Sequence, residues 1–164
     1  MVVKIKPATL KNLKDIQKLN LILFKKEHKE FDNTLNCKWT FGKDGEDYFK
    51  KRITKNDGCV LIAFVNDKIV GYLAGGFNKK SSVRVLPKKF ARLENMFVLD
   101  KFRGQGIGTK LFQAFVDWCQ SKGVGRLRVV ASAQNTKGIN FYKKNGFIDY
   151  DLILEKDLPA VSNK

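Results

Sequence analysis

The chain has 164 residues, 43% apolar and 29% charged, the length and composition of one folded domain, which excludes disorder and collagen-like structure. Its longest apolar run, Cys59 to Val65, falls far short of the ~18–20 residues a bilayer span needs. The charge is unusual: 32 Lys+Arg against 16 Asp+Glu leave +16, a field that attracts nucleotides, phosphorylated cofactors, acidic proteins or nucleic acid, although most of these cations are scattered lysines and specific phosphate or base readout favours arginine.

In chain order, Val3 and Ile5 alternate with Lys4 and Lys6, a first strand. Thr9 can cap a helix carrying Leu10, Leu13, Ile16, Leu19 and Leu23 at helical spacing. Residues 27–47 read as irregular and hold six acids, Glu27, Glu30, Asp32, Asp44, Glu46 and Asp47. A short helix is expected from about Glu46 to Thr54, with Tyr48, Phe49 and Ile53 inward. Cys59 to Val65 reads as a strand, Asn66-Asp67 as a turn, and Lys68 to Phe77 as the returning hairpin strand. Asn78 to Lys89 is a basic loop, and Ala91 to Val98 another strand. Arg103-Gly104-Gln105-Gly106-Ile107-Gly108 then opens an amphipathic helix whose buried face is Ile107, Leu111, Phe112, Phe115, Trp118 and Cys119. Gly123 ends it. Leu127 to Ala131 is a strand, Lys137 to Asn145 a short helix stopped by Gly146, and Phe147 to Glu155 a last strand. The second half reads β–α–β–α–β, so the fold class is α/β on a mixed sheet.

Cys37, Cys59 and Cys119 are too few and too scattered for a disulfide framework, and His28 is the only histidine. A His-based triad or a multi-His metal site is therefore not expected, and no metal is implied. The Met1 to Lys6 segment is a short strand rather than a signal peptide. A reduced, cytoplasmic setting is the default expectation.

A strand, a glycine loop and a helix together make an anion site. Glycine lets the backbone approach a ligand, and the helix start offers unpaired N–H groups and a partial positive charge. The Walker loop GxxxxGK[ST] is absent. The dinucleotide fingerprint GxGxxG fails too, because Gly104, Gly106 and Gly108 are spaced GxGxG and Arg126-Leu127-Arg128 stand where an acid would be needed. The spacing that fits is R-x-x-G-x-G, from Arg103 to Gly108; its bland alternative is a helix-capping glycine cluster, but a cap needs one glycine, not three.

Leu93-Glu94-Asn95-Met96-Phe97-Val98 followed by Arg-Gly-Gln-Gly-Ile-Gly resembles the GNAT family of N-acetyltransferases. So does the later run Asn135-Thr136-Lys137-Gly138-Ile139-Asn140-Phe141-Tyr142-Lys143-Lys144-Asn145-Gly146-Phe147. The resemblance is strongest over about 91–150, fair from 59, and positional over 1–58. It implies a single N-acetyltransferase domain over 1–164, with 1–58 as the acceptor-side half and 59–157 as the acetyl-CoA-binding half. The sheet would be mixed, mostly antiparallel and twisted, flanked by helices, with splayed parallel central strands.

The resemblance also implies roles. Acetyl-CoA would be the cosubstrate, with no metal. Gly104, Gln105, Gly106, Ile107, Gly108 and Thr109 would present backbone N–H groups to its pyrophosphate, with Arg103 adding charge at the start of the loop. Met96, Phe97 and Val98 would pair their backbone with the pantetheine arm as if it were a strand. Asn135 would bond the arm from the opposite strand's end, or simply cap its own helix. Tyr142 would bind at the thioester sulfur and act as general acid for the leaving thiolate, with Phe141 packed inward. An amine must lose its proton to attack, and Glu94 is the candidate general base; its alternative is an ordinary strand-face charge or a salt-bridge partner for a nearby lysine. A backbone N–H near Phe97 would stabilise the oxyanion. Gly138 stands where many relatives carry alanine, which weakens the short helix by ~1 kcal/mol. Trp39 is a candidate aromatic wall for the acceptor, while His28 and Phe41 read as packing or acceptor-loop residues.

The function implied is acetyl transfer from acetyl-CoA to a primary amine by direct attack in a ternary complex. The acidic cluster at 27–47 favours a cationic acceptor, whereas the net charge favours an acidic protein or a small amine bearing phosphate or carboxylate. The rival class is a non-catalytic acyl-CoA-sensing or nucleic-acid-associated module, though no nucleic-acid recognition motif is present. Longer acyl chains stay open. Similar proteins commonly form homodimers, which this sequence does not reveal. No membrane partner is implied.

Overall fold

In the computed structural model, which describes residues 2–77 and 89–158, the chain separates into two compact units, Met1–Ser132 and Ala133–Lys164. The first holds a five-stranded sheet in the order β1 (Val3–Pro7), β2 (Gly58–Val65), β3 (Lys68–Phe77), β4 (Phe90–Val98) and β5 (Arg126–Val129). Neighbours pair antiparallel except β4 and β5, which are parallel. The β2–β3 hairpin turns through Asn66 and Asp67, both at positive φ (49° and 58°), the conformation a right-twisted hairpin needs and that Asn and Asp tolerate.

Helices α1 (Leu13–Glu30) and α2 (Lys43–Thr54) cover one face. Ile16 and Leu19 of α1 and Phe49 of α2 pack with Val60, Ile62, Tyr72, Ala74 and Phe97 of the sheet. A tight turn at Leu10–Asn12 leads into α1, fastened by the Thr9 N–H and hydroxyl, which both donate to Asn12 Oδ1. The segment between the helices is more regular than its composition suggests: α1 runs on to Glu30, and Cys37–Phe41 forms a 3-10 turn.

Helix α3 (Ile107–Ser121) covers the other face with most of the stripe expected of it; Ile107, Leu111, Phe112, Phe115 and Cys119 are buried, while Trp118 is half-buried, stacked on Phe115. Each large apolar side chain so buried contributes about 1.5–3 kcal/mol. The Phe115 ring sits against Gly75 of β3, where a Cβ would lie 2.8 Å from its Cζ. Both faces being covered, β2 and β3 are apolar almost throughout rather than alternating.

The second unit contains α4 (Thr136–Lys144), ended by Gly146 at φ +86°. The strand expected over Phe147 to Glu155 does not form among the described residues; Ile148, Leu152, Ile153 and Leu154 are 84%, 78%, 74% and 83% exposed. Alternation specifies which side chains a strand could bury, but a strand also needs a partner row of backbone groups. The parallel pair β4–β5 therefore stands at one end of the described sheet rather than at its centre. Of the expected basic loop over Asn78 to Lys89, only Lys89 lies within the described residues. No described helix is long and apolar enough to cross a membrane.

Candidate active site

The site is built where β4 leaves its parallel neighbour. The β4–β5 ladder runs from Phe90↔Arg126 to Leu93↔Val129 and stops. Beyond Leu93, β4 keeps only β3 as a partner among the described residues, through Asn95↔Ala74, Met96↔Leu73, Phe97↔Tyr72 and Val98↔Gly71. A strand with one neighbour presents half its N–H and C=O groups to the other side. Phe97 and Val98 are themselves buried, so backbone is what this stretch has to offer there.

Glu94 is the extra residue of a β-bulge: register skips from Gly75↔Leu93 to Ala74↔Asn95. A bulge re-aims side chains, and here Glu94 and Asn95 both reach residues of the α1/α2 side. Arg52 of α2 donates from Nε to Glu94 Oε2 at 2.7 Å and from its terminal nitrogen to Oε1. Tyr48, one turn earlier, donates its hydroxyl to Oε2 at 2.7 Å and accepts from Asn95 Nδ2 at 3.2 Å. Burial, then the Glu94 charge, pushes the Tyr48 hydroxyl well above the usual phenol range, so it stays protonated. Burial works against the Arg52 charge, but the bond to Glu94 and its carboxylate charge outweigh this and raise the pKa.

Behind them runs a buried polar chain. Asn20 donates to Tyr72 Oη at 2.8 Å and accepts from the Thr40 hydroxyl at 2.8 Å, while Gln17 Nε2 donates to the Thr40 carbonyl at 2.8 Å. Trp39, next to Thr40, stacks on Phe24 with centroids 5.5 Å apart and tilts against Tyr48 at 5.4 Å. An open pocket of about 390 Å³ is lined by Trp39, Tyr48, Arg92, Glu94, Asn95 and Val130, with Leu93. Trp39 is thus a wall of this pocket, whereas Phe41 is exposed and His28 Nδ1 donates to the Leu35 carbonyl, 3.0 Å away.

The glycine loop follows β4. Gly104 and Gly106 take φ of +73° and +76°, and a Cβ at either meets nothing within 4 Å. Gly106 is the N-cap of α3 and has no side chain to bond the first turn. Ile107, Gly108 and Thr109 therefore begin the helix with N–H groups that lack an intrahelical acceptor. Gln105 bonds the Lys101 carbonyl at 3.2 Å. Arg103 lies at the start of the loop, but as a clamp: its Nε donates to the Val98 carbonyl at 2.8 Å, its terminal nitrogen pairs with Asp100 at 2.9 Å, and its guanidinium lies 5.2 Å over the Phe97 ring.

Asn135 and Tyr142 belong to the second unit. Asn135 caps α4, its side chain accepting from the Gly138 N–H at 3.0 Å. Glycine at 138 suits that cap, since a Cβ would come within 2.7 Å of Asn135 Nδ2. Tyr142 packs edge-on to Phe141 and Phe147, at 5.5 and 5.6 Å.

The Glu94 partners Tyr48 and Arg52 were not foreseen from the sequence. Their spacing of four, on a helix facing the sheet, was the available signal. The acids of 27–47 do not line the pocket: Glu30, Glu46 and Asp47 pair with Lys26, Lys50 and Lys43 one turn away, and Asp32 bonds Thr34.

A family model described as "Acetyltransferase (GNAT) family" matches residues 23–147. The chain belongs to the GNAT acetyltransferase family. It is 28% identical over 150 residues, 91% of its length, to an uncharacterised N-acetyltransferase of Methanocaldococcus jannaschii, and it spans 64% of that relative. Among solved structures it is similar to a tetramutant of the BH1408 protein of Bacillus halodurans (TM-score 0.80, 19% identity, 96% of this chain and 100% of that one). It is also similar to the aminoglycoside N-acetyltransferase AAC(6')-Iy in complex with CoA (TM-score 0.75, 16% identity, 97% and 96%). At such identities the structures speak for the fold. A mostly antiparallel open sheet flanked by helices, with its parallel pair beside a glycine turn, is thus a GNAT fold.

Proposed function

We propose that the protein transfers an acetyl group from acetyl-CoA to a primary amine by direct attack within a ternary complex. The observation that carries the proposal is a pair of backbone features: the glycine turn at the start of α3, and a β4 edge that loses its parallel partner after Leu93. The N–H groups of Gly104 to Thr109 would bind the pyrophosphate, aided by the positive end of α3. The backbone of Met96, Phe97 and Val98 would hold the pantetheine arm. CoA in the structure of AAC(6')-Iy supports this reading. The remaining parts follow from the family motifs. Residues 1–164 would act as one catalytic domain, with 1–58 shaping the acceptor side and 59–157 binding acetyl-CoA through contacts that include Asn135.

In the reaction, the amine would enter the pocket walled by Trp39 and Tyr48. Glu94 would take its proton, directly or through water; Oε1 has one hydrogen bond among the described residues, from Arg52, and so keeps acceptor capacity. A backbone N–H near Phe97 would steady the charge developing on the thioester oxygen. The Tyr142 hydroxyl would protonate the departing thiolate. The setting proposed is cytoplasmic, in keeping with the free thiols of Cys37, Cys59 and Cys119.

The test is thiol release from acetyl-CoA against a panel of amines, with calorimetric titration of acetyl-CoA. Wild type should bind and turn over; Tyr142→Phe should bind with similar heat and turn over slowly. Absence of binding would overturn this reading; salt-sensitive nucleic-acid binding without turnover of any amine would replace it with the binding-module one.

A further inference from the structure

The acceptor pocket is not an acidic pocket. Its one carboxylate among the described residues, Glu94, is forked by Arg52. A second guanidinium, Arg92, also lines it, is exposed, and forms no ion pair among the described residues. The parallel register sets Arg128 directly beside Arg92, and residues paired in a ladder project to the same face. The Arg128 guanidinium lies 4.6 Å over the Phe90 ring, against the strand that carries Arg92. Glu30, Glu46 and Asp47, three of the six acids of 27–47, pair with lysines on their own helices.

We infer that Arg92, with Arg128 beside it, reads an anionic group on the acceptor, so that the preferred substrate is an amine carrying its own carboxylate or phosphate. This rests on the acetyltransferase reading and deepens it. The amine goes to Glu94 and the anion to Arg92, two residues back along β4. A strand rises about 3.3 Å per residue, so the Cα atoms of these two residues stand about 7 Å apart. An amine at the far end of a chain of about five carbons suits that separation of the two residues. A guanidinium forks both carboxylate and phosphate oxygens, so the structure names their shared chemistry.

The experiment compares acceptors of one length: ω-aminohexanoate, ω-aminopentyl phosphate, hexylamine and hexamethylenediamine. Wild type, Arg92→Gln and Arg92→Glu are assayed for kcat/KM, with Tm as the check on folding. A charge-assisted hydrogen bond predicts that the anionic amines exceed hexylamine by about tenfold or more. Hexamethylenediamine should be the poorest. Arg92→Gln should bring the ratio towards unity, and Arg92→Glu should invert it in favour of the diamine. The carboxylate and phosphate arms separate the two sources of the anion. The inference is overturned, with the acetyltransferase reading intact, if hexylamine or the diamine matches the anionic amines, or if the ratio is the same in Arg92→Glu. It is overturned likewise if Arg92→Glu raises only the KM for acetyl-CoA, which would assign the anion to the cosubstrate. Binding of acetyl-CoA with no turnover of any of these amines or of the wider panel overturns both.

Discussion

Arg52 on α2 closes a two-pronged hydrogen bond on Glu94, the bulge residue of β4, 42 positions away in the chain. The pair is only 20% exposed on either side, and room for it is made by Gly76, where a Cβ would come within 2.7 Å of the guanidinium. Removing one partner of such a pair leaves the other charge desolvated. Arg52→Ala is expected to lower stability by about 1–3 kcal/mol, below the range for fully buried pairs because water still reaches this one. Arg52→Lys keeps the charge but not the fork and should recover only part of the loss. Urea midpoints for Arg52→Ala, Glu94→Ala and the double variant give the coupling; additivity would show that the pair is energetically idle.

Gly106→Ala places a methyl group in open space but forces a left-handed backbone on a residue with a Cβ, at about 1 kcal/mol. Stability should fall by that amount. Protection of the protein by acetyl-CoA in thermal melts should fall further, because the turn must keep its shape to present its N–H groups. Gly106→Glu, which adds a negative charge where a diphosphate is proposed to sit, should abolish that protection. Equal protection of all three proteins would count against the glycine turn as the binding element.

Gly138→Ala tests a trade within α4. Alanine improves helix propensity by about 1 kcal/mol, but its methyl group would press on the Asn135 side chain and loosen a cap of about equal worth. The net change in Tm should be small. If Asn135 also serves the acyl donor, KM for acetyl-CoA should rise while Tm stays put. A clear gain in Tm with unchanged KM would show that Asn135 matters little to either.

Burial pushes the thiols of Cys59 and Cys119 up to about 12. A thiol reagent at mildly alkaline pH should therefore label native protein once, at the less buried Cys37, and three times after denaturation. The linkage has a definite sign. Both thiols ionise later folded than unfolded, so their contribution is complete below the ordinary thiol range and is lost as pH rises from about 9 towards about 12. Urea midpoints should fall across that window, and the fall should shrink in the Cys59→Ala, Cys119→Ala double variant.

The local elements were legible because local rules specify them: Asn66-Asp67 for the hairpin, an amphipathic stripe for α3, three glycines for its bare start. The segment 147–155 misled because its alternation is a side-chain pattern, and whether backbone partners exist is decided elsewhere. Arg52 and Glu94 were each visible as residues, but nothing in periodicity brings together positions 42 apart. Gln17 and Asn20 carried a signal that was overlooked: two amides on the buried face of α1, beside Ile16 and Leu19, must find partners inside.

Those partners have a further consequence. Gln17 and Asn20 fasten Thr40 from below, and Asn20 also holds Tyr72 of the central hairpin. Lifting the Trp39 corner away from the sheet would strand several desolvated amides and hydroxyls at once. Slow amide-proton exchange should accordingly protect the 37–41 turn, an irregular stretch, to the same degree as the strand beneath it, and acceptors should come and go through a mouth of constant shape rather than past a flap.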